Sequence, residues 1–378
     1  MDFSFSDDQQ TVADLAATIL SSSSKEERWR DLSGGWLDRA MLRDLAEANL
    51  LGLSLPESAG GSGFGLVEAC LILEQAGRHL ARVPLLDGLV GAAMPIAAHG
   101  TNEQIQRLLP DFVSGTAVLS SSLGSEDPAD VRHVSVEAVR DGADWRLRGE
   151  VPFVGYADVA TRVLLPAVDD GGNVGIFLLD PQADGVAHAE QSATTGQPLT
   201  LLTLDGASVA AADVLVAPNP DGRELLRSIW ERSVVGLCAL QVGVGGRALE
   251  MTAEYTSQRE QFGRPLAQFQ AVAMRLADGY VDVEGMRTTL WQAAWRLDEG
   301  LPAAKAVSVA KFWASEAGQR IVSAAQHLHG GMGADIDYPL HQYTLWSKQN
   351  ELALGSASWH LANLGEELRD HGTEEVPA

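Results

Sequence analysis

The sequence predicts a mostly helical α+β chain. A helical N-terminal domain spans residues 1–112, a central antiparallel β domain 113–220, and a C-terminal four-helix bundle 221–378. Three observations lead there. Apolar residues recur at helical spacing up to about residue 112. Short β-rich runs separated by turn clusters then take over. From about residue 221 the helical period returns, in long segments that are apolar around most of their circumference. A length of 378 residues suits two or three domains.

In the first zone the predicted helices are Gln9 to Ser21, Leu37 to Asn49, Leu66 to His79 and Asn102 to Phe112. Leu66, Cys70, Leu73 and Ala76 mark the buried stripe of the third. The run Pro56-Glu57-Ser58-Ala59-Gly60-Gly61-Ser62-Gly63 is rich in turn residues and reads as a loop. Predicted strands follow at Val134 to Val139, Trp145 to Gly149, Arg162 to Val168, Val174 to Leu179 and Leu199 to Leu204. Asp141-Gly142-Ala143-Asp144 and Asp169-Asp170-Gly171-Gly172 separate some of them. Strands at this spacing, with no helix between, predict a small antiparallel sandwich or barrel. The long helices are Glu224 to Tyr255, Gln268 to Trp295 and Ala304 to His329, and the tail after Leu368 reads as frayed.

Composition excludes several classes of function. Hydrophobic residues are 46 % of the chain and charged residues 21 %, enough for packed cores. The 27 basic and 51 acidic residues leave a net charge of −24, with no cation cluster to track phosphates. Nucleic acid and anionic membranes are therefore not expected partners. The acidic start, Met1 to Asp8, lacks the basic and apolar regions of a secretory signal. No uninterrupted 18-residue apolar stretch is expected to span a bilayer; Leu85 to Ala98 is shorter and carries Asp87 and Pro95. Cys70 and Cys238 sit among apolar residues and read as buried free thiols of a reducing cytoplasm. No Cys/His spacing suggests a metal site.

Two motifs carry chemistry. Arg259-Glu260-Gln261-Phe262-Gly263-Arg264-Pro265-Leu266, with Phe269-Gln270, follows the first long helix. Gly263 and Pro265 mark a turn that offers a guanidinium and an amide, and Arg259 can fork onto a phosphate. Taken alone, such a block reads as a surface turn. Gln326-His327-Leu328-His329-Gly330-Gly331-Met332-Gly333 ends another helix. Its paired glycines admit a closely approaching ligand or simply cap the helix.

The order helices, strands, helices, with these two blocks about 65 residues apart, resembles the acyl-CoA dehydrogenase family. The loop Pro56 to Gly63 and the stretch Asp337-Tyr338-Pro339-Leu340 resemble that family's segments as well. Within the family, Arg275-Leu276-Ala277-Asp278-Gly279-Tyr280-Val281-Asp282-Val283 is similar to the subunits that actinobacteria use on steroid side-chain CoA thioesters. The resemblance implies α,β-dehydrogenation of an acyl-CoA: a Glu takes the α-proton and the β-hydrogen leaves as hydride to FAD. It also implies that each flavin is shared between two subunits.

The chain departs from that pattern where a base is needed. One of the family's two Glu positions falls on Leu354, just before Gly355, and the other on Ser233. A hydrocarbon cannot accept a proton, and a serine hydroxyl needs an activating partner. Glu351 and Glu231 are the nearby carboxylates. Glu231, two residues before Ser233, should point away at roughly 200° round the helix; Glu351 remains a rescue base if its segment is helical.

The flavin residues that a subunit lends to its neighbour match position by position at Arg259, Phe262, Gln270 and Gly331, beside Gly330, with His327 where a Gln is usual. The subunit's own half is altered. Ser120 to Asp127 replaces a Thr-Glu-Pro and Gly-Ser-Asp block, and Phe153-Val154-Gly155 replaces Trp-Ile-Thr.

The resemblance thus implies a non-catalytic subunit of a heterotetramer of two unlike pairs. A homologous catalytic chain would bind most of the acyl-CoA, and an electron-transfer flavoprotein would take the electrons. Two other readings stay open: a self-sufficient homotetramer whose base is Glu351 or Glu231, and a flavin-free scaffold of the same fold.

Overall fold

The computed structural model describes residues 4–23, 35–123 and 133–372. The part of the altered flavin block from residue 124 to 127 lies outside them.

The first zone comprises α1 (Asp7–Ser23), α2 (Arg39–Glu47), α3 (Leu66–Arg78), a π-helical segment (Leu85–Ala93), α4 (Met94–His99) and α5 (Asn102–Val113). Side chains start these helices. The Asp38 carboxylate accepts from the Met41 N–H at 2.9 Å, and Thr101 and Gln104 form a reciprocal capping box on α5. The Asp298 carboxylate accepts the first two amides of α3, Leu66 and Val67, at 2.9 Å each. A negative charge at a helix N-terminus is stabilising, and here it ties α3 to a helix more than 200 residues downstream.

The strands are β1 (Val118–Ser121), β2 (Glu137–Asp141), β3 (Asp144–Gly155), β4 (Ala160–Val168), β5 (Val174–Leu179), β6 (Val186–Ser192), β7 (Pro198–Val209) and β8 (Val214–Asn219). They form one sheet in the order β6-β7-β3-β2-β4-β5-β8, with β1 beside β4. The sheet is mixed, which corrects the expectation of a purely antiparallel domain: β1 and β2 both run parallel to β4. Further strands than expected are present. β6 is almost entirely solvent-exposed and shows no apolar alternation to announce it. The strand expected from Val134 begins only at Glu137.

The third zone holds α6 (Gly222–Gln258), a two-residue hairpin of β9 (Glu260–Gln261) and β10 (Arg264–Pro265), then α7 (Gln270–Asp298), α8 (Ala304–His329), α9 (Leu340–Leu352) and α10 (Ala357–His371). α10 continues past Leu368, where fraying was expected. At 37 residues α6 is about 55 Å long at 1.5 Å per residue. By length and composition it could cross a bilayer, contrary to the expectation that no stretch would. However, 83 % of its most apolar window is buried inside the protein, so its hydrophobicity is that of a central core helix.

Glycines set the α3–α6 crossing. A Cβ at Gly243 would lie 1.9 Å from the Glu74 carbonyl oxygen, and one at Gly77 would lie 2.1 Å from that of Leu240. The two helices touch backbone to backbone at reciprocal positions. Gly243→Ala is expected to force them apart and cost about 3 kcal/mol, the upper end for core overpacking. A lowered urea midpoint with an unchanged slope checks this.

The π-helical segment is seated on β1 by the same device. A Cβ at Gly88 would meet the Leu119 carbonyl oxygen at 2.7 Å, and one at Gly91 would meet Ser121 Oγ at 2.0 Å. Local π geometry often marks functional positions, and this segment aims Asp87 at the interior described next.

Candidate functional site

A cavity of about 480 Å³ opens where α3, the π-helical segment, α6, α9 and the edge of the sheet meet. That size suits a small organic ligand. Trp36, Leu73, Leu86, Leu237 and Leu240 supply apolar wall. Ser233 and Leu354, more than a hundred residues apart in sequence, both line it.

Neither is a proton acceptor of use. The Ser233 hydroxyl, buried on α6, donates to the Ile229 carbonyl one turn back at 3.0 Å. Leu354 sits just beyond α9 in a left-handed conformation, φ 53°, followed by Gly355 at φ 101°. The structure holds this turn firmly. The fully buried Lys311 ammonium donates to the carbonyls of Asn350, Glu351 and Gly355 at 2.8–3.0 Å.

The two tempting carboxylates are elsewhere. Glu231 is ion-paired to Arg227 at 3.1 Å, one turn away on α6, and Arg227 also reaches Glu367 of α10. Burial nevertheless pushes the Glu231 carboxyl above the usual range. Glu351 is on α9, as the helical reading required, but its carboxylate meets Lys348 at 2.6 Å. Neither residue is part of the cavity wall.

The wall does contain one acid, whose role the sequence reading misses. Among the described residues, Asp87 is the single charged one lining the cavity. Desolvation pushes its carboxyl up to about 6, although the side chain is only half-buried. The available signal is a lone acid inside an otherwise apolar run, Leu85 to Ala98, whose composition bears first on membrane crossing.

Asp87 faces the altered end of β3. A Cβ at Gly155 would lie 2.8 Å from Asp87 Oδ2 and 3.1 Å from Gln197 Nε2. Glycine at 155 and aspartate at 87 are therefore a matched pair, and a larger residue at 155 would displace the carboxylate. Around them the backbone is unusual. Phe153 at φ 59° and Tyr156 at φ 57° join Leu354 in the left-handed region. Bulky residues held there are costly and gather at functional sites. Ser120 Oγ donates to the Gly155 carbonyl at 2.6 Å, and the Phe153 amide donates to Gln191 Oε1 at 2.9 Å. These polar groups are consumed inside the chain.

The two glycine-containing motifs form a second, different surface. The Tyr255 and His329 rings stack at 4.3 Å, bringing the C-termini of α6 and α8 to one end of the bundle. Arg259, four residues past Tyr255, is exposed, as are Gln270 at the start of α7 and His327 on the last turn of α8. Phe262 is 92 % exposed, at φ 55° on the tip of the β9–β10 hairpin. Arg264 lies over the Phe269 ring at 4.1 Å and braces the hairpin from behind.

Gly330 and Gly331 are open: a Cβ on either would meet nothing within 4 Å. His329, by contrast, is buried and hydrogen-bonded to the Ala325 carbonyl and Tyr338 hydroxyl. The exposed set offers a forked cation, an amide, an imidazole, an aromatic face and bare backbone. That donor set suits a phosphorylated, planar cofactor lying across a subunit boundary. Among the described residues, the interior set around Asp87 offers one carboxylate and no cation.

Comparison with known proteins places the chain as a whole. The family models described as "Acyl-CoA dehydrogenase, N-terminal domain" and "Acyl-CoA dehydrogenase, C-terminal domain" match residues 6–116 and 221–368. The chain is 39 % identical to acyl-CoA dehydrogenase FadE27 of Mycobacterium tuberculosis, over 98 % of this chain and 99 % of that protein. The solved ChsE4-ChsE5 complex from the same organism superposes with a TM-score of 0.90 at 39 % identity, covering 100 % of both chains. A variant of the Tcur3481-Tcur3483 steroid acyl-CoA dehydrogenase gives a TM-score of 0.89 at 39 % identity, over 97 % of this chain and 99 % of that one.

Proposed function

This chain belongs to the acyl-CoA dehydrogenase family, and we propose that within it the chain is a non-catalytic subunit that completes the flavin site of a catalytic partner. Members of the family are FAD-dependent oxidoreductases. One observation carries the reading. Both positions at which the family keeps its base, Ser233 and Leu354, face one cavity, and neither is an acid. The displaced candidates, Glu231 and Glu351, are spent in ion pairs outside it.

FAD, when bound, accepts the hydride of the α,β-dehydrogenation. Arg259, Gln270 and His327 would hold its polar part, Phe262 would cover it, and Gly330 and Gly331 would let it approach the backbone. All six are exposed on this chain, as a surface built for a neighbour requires. Exposed apolar residues continue from that corner along α7, at Met274, Tyr280 and Val281. An unlike pair is further supported by the two similar structures, one a ChsE4-ChsE5 complex and the other carrying the paired name Tcur3481-Tcur3483.

The assembly proposed is a heterotetramer of two unlike pairs in the cytoplasm. The partner binds most of the acyl-CoA, and an electron-transfer flavoprotein reoxidises the flavin. A steroid side-chain CoA thioester is the substrate class that the steroid-named relative favours.

Expression of the chain alone and together with a homologous chain carrying the Glu tests this. The chain alone is expected to lack flavin absorbance and to be inactive. Co-expression is expected to give a flavin-containing complex that oxidises an acyl-CoA. Full flavin content and turnover in the solo chain would establish the self-sufficient alternative. A pair that binds no flavin would establish the scaffold.

A further inference from the structure

We propose that the interior cavity of this chain is a ligand site in its own right, and that Asp87 selects an uncharged apolar molecule bearing a hydroxyl group. The cavity carries this assignment independently of the flavin arrangement above.

The wall's chemistry is lopsided. Most of it is hydrocarbon and aromatic, from Trp36, Leu73, Leu237 and Leu240. Its polar groups are Asp87 together with neutral hydroxyls and amides, such as those of Tyr156, Thr195, Gln197 and Gln349. Among these only Asp87 carries charge, and the nearby Arg82 guanidinium lies over the Trp36 ring at 5.6 Å, outside the cavity wall. Asp87 is half-buried, and a carboxylate drawn out of water without a donor is costly. A ligand that brings one donor to Asp87 recovers that cost on binding, in addition to the free energy of burying its apolar body.

The same arrangement decides against other ligand charges. An anion, whether carboxylate or phosphate, finds no cation among the described residues of the wall and is repelled by Asp87. An ammonium would have to leave its own hydration shell, a large desolvation cost even when paired. A hydroxyl donates to the carboxylate without bringing charge into the cavity. The glycine at 155 leaves room for the carboxylate, since a Cβ there would lie 2.8 Å from Oδ2.

Calorimetric titration of the purified full-length protein, alone or in its complex, with n-octanol, heptyl methyl ether and octanoate at pH 8 tests the assignment. These probes share chain length and differ in the group offered to Asp87. Octanol is expected to bind at least about tenfold more tightly than the ether, the usual range for a hydrogen bond to a charged group. Octanoate is expected not to bind. In Asp87→Ala the alcohol should fall to the affinity of the ether, and in Asp87→Asn octanoate should become a ligand. Equal affinity for alcohol and ether in the unaltered protein, uptake of octanoate as strong as that of octanol, or no binding of any probe would each overturn the proposal. The comparison among probes on the unaltered protein needs no variant to fold. Flavin content, measured in parallel, reports separately on the subunit reading.

Discussion

Arg259→Ala in this chain is expected to strip the co-expressed complex of most of its flavin while leaving the two chains associated. The main chain alone holds this position. α6 ends at Gln258, the Arg259 amide still donates to the Tyr255 carbonyl at 2.8 Å, and the Arg259 carbonyl accepts from the Leu266 amide across the hairpin at 2.8 Å. The side chain is therefore not needed to hold the turn. The guanidinium is exposed and no carboxylate among the described residues engages it, so it is available to a phosphate.

Removing a forked, charge-assisted hydrogen bond from a site that the partner has desolvated costs about 1.5–3 kcal/mol, or roughly tenfold to a hundredfold in affinity. Gel filtration followed by the ratio of flavin to protein absorbance reads the effect. Arg259→Lys keeps the charge but not the fork and should fall between. Unchanged flavin content in Arg259→Ala would mean that this corner does not hold the cofactor, and the proposal that this chain completes its partner's flavin site would fail.

Legibility in the sequence follows the range of the interactions involved. α3 and α5 show themselves through local period, because one face of each meets a core, and the three long helices through sheer length. The Arg259 and Gly330 blocks show themselves because a turn has to be written in consecutive residues. The segment from Leu85 to His99 reads in sequence only as too short to span a membrane, yet it is helical throughout. It is apolar on nearly every side, so period carries no information. β6 escapes for the opposite reason, being exposed along nearly its whole length.

The cavity is not legible at all. Asp87, Gly155, Gln197, Ser233 and Leu354 come from five separate segments. Only the fold makes the lone acid of one segment the neighbour of a glycine in another. The turn at Leu354 can be located by counting, but what fixes it, a lysine on α8, is not visible in any motif.

That lysine supports the second large effect. Lys311→Met is expected to destabilise the protein by about 3–5 kcal/mol, because the ammonium is the common donor to a group of buried carbonyls. Nζ reaches Asn350 O and Glu351 O at 3.0 Å, Gly355 O at 2.8 Å and Ser315 Oγ at 2.8 Å. It serves as the C-terminal cap of α9, where the last carbonyls have no helical partner, and a cation there is favoured by the helix dipole. Methionine matches its length and removes every donor.

The pH dependence separates this effect from a simple packing defect. Burial lowers the Lys311 pKa from 10.5 to about 8, with Cys238 and Glu351 opposing the shift. Above pH 8 the native state gives up a proton that the unfolded chain keeps until about 10.5. The unfolded state then binds more protons, so stability rises with pH in that window and is lower below it.

The variant has no such group. Its deficit relative to the parent should widen by about 1.4 kcal/mol per pH unit once pH exceeds 8. Paired urea titrations between pH 7 and 9 measure that widening. Ionisation of cysteines in the unfolded chain is common to both proteins and cancels in the difference. A deficit that stays constant to pH 9 would show that the carbonyls offset burial in full, leaving the ammonium charged across the whole range. A deficit that already widens from pH 7 would show the opposite, that Lys311 is neutral in the folded chain there. The turn carrying Leu354 would then be held by uncharged hydrogen bonds alone.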